Sequence, residues 1–96
     1  MSHFKITLYM ERQFRWVVAY PQRHFSTHLG GGHVYQLDMF FSTFKDGVAF
    51  AQQYMAEYPE WKDIPFTYYS NNGGVKEVHD LRDDATLMYY ILKHAE

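Results

Sequence analysis

The densest group of side chains able to bind a metal lies in residues 23–34, RHFSTHLGGGHV, which hold three of the six histidines of the chain. Zinc readily takes imidazole nitrogens, and three imidazoles with one water make a catalytic zinc site. His24 and His28 would lie one turn apart on the same face if this segment were helical. His24, His28 and His33 are therefore the candidate metal ligands of this sequence.

The surroundings of these histidines argue against a metal site. Pro21 precedes them and three glycines, residues 30–32, lie between the last two, so a helix is disfavoured. The glutamate base of an HExxH motif is missing, because the residue after His24 is Phe25. Further ligands would have to come from distant positions: Asp38, His79 and Asp80. We expect no metal and no cofactor, and binding of a metal or small ligand by the three histidines stays as the alternative function.

The three glycines raise the possibility of a phosphate-binding loop. Such a loop follows a strand and opens a helix, whereas a strand pattern follows residues 30–32, without the Lys-Ser/Thr pair. The sequence instead predicts that residues 21–33 are one long connection, loosened by glycine. Long loops in compact domains often have a function.

Other catalytic arrangements have little support in the sequence. The chain has no cysteine and no Gly-x-Ser-x-Gly motif, so no activated nucleophile is evident. The neighbouring carboxylates Asp83 and Asp84 are explained by their place at the start of a predicted helix. We therefore expect that the protein is not an enzyme.

Composition limits the class of protein and of partner. The chain has 96 residues, of which 47% are hydrophobic and 20% aromatic, which predicts one folded domain over residues 1–96. Its nine basic and eleven acidic residues give a net charge of −2 without a basic cluster, so nucleic-acid binding is disfavoured. The absence of cysteine, of a signal-peptide pattern and of a long apolar run predicts a cytoplasmic protein that does not enter membranes.

Hydrophobic alternation predicts the strands. Residues 3–10, 14–20 and 34–41 alternate with period two, and residues 65–70 and 75–79 form two shorter strands around the Asn-Asn-Gly-Gly turn. Pro21 is expected to end the second strand, because proline cannot donate to a strand ladder.

Two helices are predicted by their caps and apolar stripes. Thr43 is a cap for a helix that Pro59 ends, with a stripe made of Phe44, Val48, Ala51, Met55 and Tyr58. Phe50, Tyr54 and Trp61 either widen the buried face of that helix or begin an exposed patch. Asp80 is expected to cap the second helix. Its apolar stripe is Leu81, Ala85, Met88, Leu92 and Ala95, with Leu87 and Ile91 alongside and Tyr90 pointing away.

The order of these elements is β-β-β-α-β-β-α. Short hairpin links predict an antiparallel sheet of about five strands with both helices on one face, which is a two-layer α+β sandwich.

The surplus of aromatic residues gives the best indication of function. The helices cover only one face of the predicted sheet. The other face would then display aromatic side chains and one arginine. Residues of these types are enriched at protein interfaces. We expect a protein partner, contacted by Tyr9, Arg15, Phe40 and Tyr69 on the sheet and by Arg23 and His24 in the loop. Single-stranded RNA stacking on the same aromatics is a weaker alternative, and a homodimer through an exposed edge strand or face is open.

In general character the chain resembles small phage or mobile-element proteins that inhibit host machinery, and bacterial immunity proteins share that character. The resemblance covers size, composition and fold class, and no motif carries it. The resemblance implies a non-enzymatic inhibitor or antagonist of the viral anti-defence or host-takeover kind, which would block a larger host protein or complex sterically.

Overall fold

The computed structural model describes residues 4–26 and 31–95, with the backbone alone for residues 24–26, 31 and 32. Five strands and two helices follow in the order β1 (Ile6–Arg12), β2 (Arg15–Ser26), β3 (Gly31–Phe41), α1 (Phe44–Glu57), β4 (Phe66–Asn72), β5 (Val75–Asp80) and α2 (Asp84–Lys93), with a 3₁₀ turn (Pro59–Trp61) before β4. This order confirms the predicted α+β class with five strands and two helices.

The sheet is mixed, with strand order β3-β2-β1-β4-β5. Its three hairpins, β1–β2, β2–β3 and β4–β5, are antiparallel, as predicted. The central pair, β1 with β4, is parallel. The reason is the crossover through α1: the chain leaves β3 at one edge, returns along the helix, and re-enters the sheet beside β1 in the same direction as β3.

Both helices pack on one face of the sheet, where the core lies. Ile6, Leu8 and Val18 supply its fully buried centre on the sheet side, and Phe44 and Ala51 of α1 close over them. Burial of such side chains stabilises the fold by about 1.5–3 kcal/mol each. The other face of the sheet, which we call the open face, is turned away from both helices.

The predicted loop over residues 21–33 is wrong, because β2 continues through Pro21 to Ser26 and pairs with β3 as far as Gly31. Pro21 is paired with Gln36. On the opposite side of β2, the pairing with β1 begins only at Ala19. Pro21 therefore lies where one side of β2 carries no ladder, which is a position that tolerates a missing N–H.

The first helix agrees with its sequence pattern except at Tyr58, which lies just beyond the helix and is 40% exposed rather than buried. The Asp46 amide donates to Thr43 Oγ1 at 3.1 Å, which confirms Thr43 as the cap. Tyr54 is buried, and its hydroxyl donates to the Pro21 carbonyl at 2.5 Å. Phe50 packs against the core at its margin, so the aromatics beside the stripe widen the buried face.

The second helix begins later than predicted. Asp83, not Asp80, is its cap: the Asp83 carboxylate accepts from the Thr86 amide at 3.0 Å and from the Thr86 hydroxyl at 2.8 Å. These hydrogen bonds lower the pKa of Asp83. Asp80 instead accepts from the Arg82 amide at 2.9 Å and closes the turn before the helix.

The second helix also turns a different face inward. Leu87, Tyr90 and Ile91 pack against the core, whereas Met88 and Leu92 are 55% and 67% exposed. The prediction that Met88 and Leu92 are buried and Tyr90 points outward is therefore wrong. This helix has two apolar stripes. The stripe that contains Tyr90 is the buried one, and the Tyr90 hydroxyl lies 3.1 Å from the ring nitrogens of His79 on β5.

Candidate functional site

One continuous row of apolar and aromatic side chains crosses the open face. The strand registers place one residue of each strand in it, in the order Val78, Tyr69, Tyr9, Val17 and Phe40. Each of them alternates with a neighbour that points into the helix-covered core, so all five lie on the open face. We call this set the open-face row.

One member of the open-face row, Val17, is covered by its larger neighbours. Val17 has no exposed surface although it points away from both helices, so its larger neighbours in the row shield it. Phe40 and Val78 at the two ends are 48% and 65% exposed. Tyr9 and Tyr69 between them are half-buried. The row is therefore a shallow surface with a buried floor and open ends.

Arg15 extends the open-face row at the Phe40 end. Its guanidinium carbon lies 4.1 Å from the centre of the Phe40 ring, in the geometry of a cation–π contact. Arg15 Nε also lies 3.4 Å from a carboxylate oxygen of Glu11. The guanidinium thus lies over an aromatic ring, an arrangement that presents both an apolar surface and hydrogen-bond donors.

Tyr9 lies at the centre of the row among carboxylates. Desolvation raises the pKa of its hydroxyl, and the negative charges of Asp38 and Glu11 raise it further. At neutral pH the hydroxyl is therefore firmly protonated and can donate a hydrogen bond from the middle of an apolar surface. Tyr and Trp are favoured at interfaces for this combination.

Four of the six predicted contact residues come together. Tyr9, Phe40 and Tyr69 are members of the open-face row, and Arg15 stacks on it. Arg23 lies apart, on the distal half of β2, where its Nε contacts Glu60 at 2.7 Å and its guanidinium lies 5.8 Å from the Trp61 ring centre.

The predicted loop histidines are divided. His24 and His33 are paired in the β2–β3 ladder, and His33 is exposed. The side chain of His24 and the whole of His28 lie outside the described part of the structure. Among the side chains that the structure describes, no three of the His, Asp and Glu type lie close enough to hold a metal together.

The sequence reasoning missed a polar cluster between α2 and the sheet. Ser70 Oγ lies 3.2 Å from His79 Nε2, and the Tyr90 hydroxyl lies 3.1 Å from both ring nitrogens of His79. Next to them, the Tyr68 hydroxyl lies 3.2 Å from His94 Nε2. A cleft of about 330 Å³ opens over this cluster. The tight turn at Gly73 and Gly74 was the available signal, because it fixes the register that pairs His79 with Tyr68.

The geometry of this cluster is not that of a nucleophilic triad. Glu77 approaches His79 at Nε2, at 3.7 Å, which is the same nitrogen that faces Ser70. In a triad the carboxylate instead holds the nitrogen away from the nucleophile, so that the other one can take its proton. The described contacts explain a structural role: they attach α2, which has no fully buried residue, to β4 and β5.

Neither helix in the described ranges is long and apolar enough to cross a lipid bilayer. Searches against protein-family models, curated proteins and solved structures give no significant match to this chain. The assignment of function therefore rests on the geometry of the chain itself.

Proposed function

We propose that this chain is a non-enzymatic protein-binding module that docks on its partner through the open face. The observation that carries the proposal is the open-face row, which runs across all five strands on the side away from both helices. An apolar surface of this kind, rimmed by polar groups, is typical of an interaction site. Aromatic and arginine side chains supply most of the binding energy at such sites.

The charges around the row favour a protein over a nucleic acid. Arg15 and Lys76 on this face are interspersed with Glu11 and Asp38. A nucleic acid requires clustered cations that neutralise several phosphates at once. A rim of both signs instead suits a protein surface that carries complementary charges of both signs.

The proposed mode of action is steric occlusion, in which this chain inhibits a larger protein or complex by covering a working surface. Arg23 and His24 lie further along the β2–β3 hairpin and would extend the contact beyond the row. In this proposal, affinity comes from the aromatic centre, and charge on the rim sets orientation and the rate of association.

The test compares two double variants with matched chemistry. Tyr9→Ala with Phe40→Ala removes two aromatics of the open-face row, and Met88→Ala with Leu92→Ala removes two apolar side chains that are more exposed from α2. Tagged wild-type and variant proteins are used to capture a partner from a lysate of the native host, and the captured protein is then purified and titrated. The open-face variant is expected to bind it at least about 30-fold more weakly, since two hot-spot side chains are removed. The α2 variant is expected to bind like wild type.

Thermal unfolding of the same variants checks the premise. Loss of these partly exposed rings should cost about 1 kcal/mol or less. A large loss of stability in the open-face variant would show that Tyr9 and Phe40 serve the core. Equal binding by wild type and the open-face variant, or weaker binding by the α2 variant alone, would place the docking surface elsewhere. Tight, steeply salt-dependent binding of a single-stranded RNA to wild type alone would favour the RNA alternative.

A further inference from the structure

The outer edge of β3 differs from the other edge of the sheet. Strands β3 and β5 are the two edges. β5 is short, with six residues, and carries Lys76, Glu77 and Asp80. β3 has eleven residues and contains neither lysine, arginine nor proline. Proteins commonly protect an edge strand with those features, because unpaired backbone groups at an edge accept another strand. The β3 edge lacks this protection.

The side chains of β3 are also apolar where they are exposed. Leu37 and Met39 lie on the helix-bearing side, where they are 38% and 39% exposed. Phe40, on the open face, is 48% exposed. Asp38, between Leu37 and Met39 in sequence, is the single acidic residue of β3. A strand that pairs with this edge must therefore bring apolar side chains on the helix side and tolerate one carboxylate on the other.

We propose that the β3 edge pairs with the β3 edge of a second copy of this chain, antiparallel and about a two-fold axis perpendicular to the sheet at Leu37. Such an axis keeps the helices of both copies on one side and joins the two sheets into one. Symmetric pairing of one surface with itself is the commonest form of protein self-association. The dimer leaves the open face uncovered, so it is independent of the proposed partner binding.

Charge and shape select the register of this pairing. An axis at Asp38 would place two carboxylates directly opposite each other, which is destabilising. An axis at Leu37 places Asp38 opposite Gln36 and removes that conflict. It also opposes Leu37 with its own copy and Met39 with Tyr35, so apolar side chains meet on the helix side. The edge is therefore self-complementary in the register with its axis at Leu37.

Sedimentation equilibrium of the purified chain tests the dimer. The expected mass is twice the 11.5 kDa of one chain. Leu37→Lys places two cations opposite each other at the axis and is expected to weaken the dimer at least about tenfold. The matched control is Val75→Lys on β5, where Val75 is 59% exposed, and it should leave the dimer intact. A monomer at every concentration would overturn the proposal, as would a dimer that Val75→Lys dissociates and Leu37→Lys does not.

A single introduced cysteine tests the register, and it does so even if Leu37→Lys fails to fold. The natural chain has no cysteine, so a disulfide can form only between two introduced thiols. Opposed residues of an antiparallel pair have Cα atoms about 4.5–5.5 Å apart, within the range of a disulfide. Leu37→Cys should cross-link on mild oxidation, and Val75→Cys should not. Cross-linking through Gln36→Cys in preference to Leu37→Cys would overturn the register.

Discussion

One residue in the described ranges, Phe14, has a backbone conformation that its side chain does not favour. Phe14, in the turn between β1 and β2, has a φ of 62°, the only positive φ of a non-glycine residue in the described ranges. A left-handed backbone costs an L-residue with a bulky side chain about 1–2 kcal/mol. Its ring is 61% exposed, so packing recovers little of that cost.

The substitution Phe14→Gly is expected to stabilise the fold by about 0.5–1 kcal/mol, because glycine adopts this φ without strain and the gain exceeds its added chain entropy. Urea denaturation measures the difference. Gln13→Gly in the same turn is the control, since Gln13 has no positive φ and should lose about 0.5–1 kcal/mol. If Phe14→Gly is the less stable of the two, the Phe14 ring contributes packing that its exposure does not indicate.

At the level of elements, α1 approaches the sheet closely at Gly47. A Cβ at this position would lie 2.9 Å from Leu8 Cδ1 and 3.3 Å from Val18 Cγ2. Both partners are fully buried, so neither can move aside easily. The absence of a side chain at Gly47 therefore sets the distance between the helix and the two central strands.

Gly47→Ala is expected to destabilise the protein even though alanine favours a helix by about 1 kcal/mol over glycine. Crowding of a packed core costs about 1–3 kcal/mol, so the net change should be a loss of about 1 kcal/mol. Gln52→Ala, on the exposed side of α1, is the matched control and should be neutral within about 0.5 kcal/mol. A more stable Gly47→Ala variant would mean that the helix can shift away from Leu8.

The secondary-structure elements were predictable from the sequence only where their signals are local. Period-two alternation and caps such as Thr43 are local signals, and they located the strands and α1 correctly. The extension of β2 past Pro21 depends on where β1 begins to pair, which is a non-local fact. The inward face of α2 brings the Tyr90 hydroxyl to His79 on β5, a non-local contact, and a helical pattern alone cannot choose between the two stripes.

The candidate site was predictable to a similar extent. Alternation placed Tyr9 and Phe40 on the face away from the helices, and the registers show that Val17 lies between them. The role of Val78 was not predicted, because it depends on the pairing of β5 with β4 and of β4 with β1. A row that crosses five strands can be recognised only when the strand order is known, and the sequence does not determine that order.

Across the whole molecule, many of the aromatic residues are used in the core. Trp16 packs edge-on against Phe44 with ring centres 5.2 Å apart, and His94 lies 5.0 Å from Trp16 and 5.1 Å from Phe44. Tyr54 lies 4.8 Å from Tyr20 in the same way. Much of the aromatic surplus therefore packs in the core on the helix-covered side. Only the few aromatic rings on the open face remain available to a partner.

This titratable core predicts that stability falls at both ends of the pH range. Burial, with smaller contributions from the nearby Tyr20 and Tyr58, raises the pKa of Tyr54 from 10.0 to about 12. As the pH rises, the unfolded chain loses this phenol proton before the folded chain does. The stabilisation is therefore complete below pH 10.0 and is lost as the pH rises toward about 12.

The acid side depends on His94. Burial lowers the pKa of His94 from 6.5, with a contribution from Lys93. The unfolded chain therefore takes up that proton first, and stability falls as the pH drops below 6.5.

The free energy of unfolding in urea, measured from about pH 5 to about pH 11, is expected to follow this profile. Tyr54→Phe should reduce the alkaline loss of stability without abolishing it, because the pKa values of Tyr9, Tyr20, Tyr68 and Tyr90 are raised as well. It should also lower stability at neutral pH by about 1 kcal/mol, because the Pro21 carbonyl loses its donor. His94→Gln should flatten the acid limb and leave the alkaline limb unchanged. An acid limb that persists in His94→Gln would assign it to other groups, and a flat alkaline limb in the wild type would mean that the Tyr54 hydroxyl ionises as freely in the folded chain as in the unfolded one.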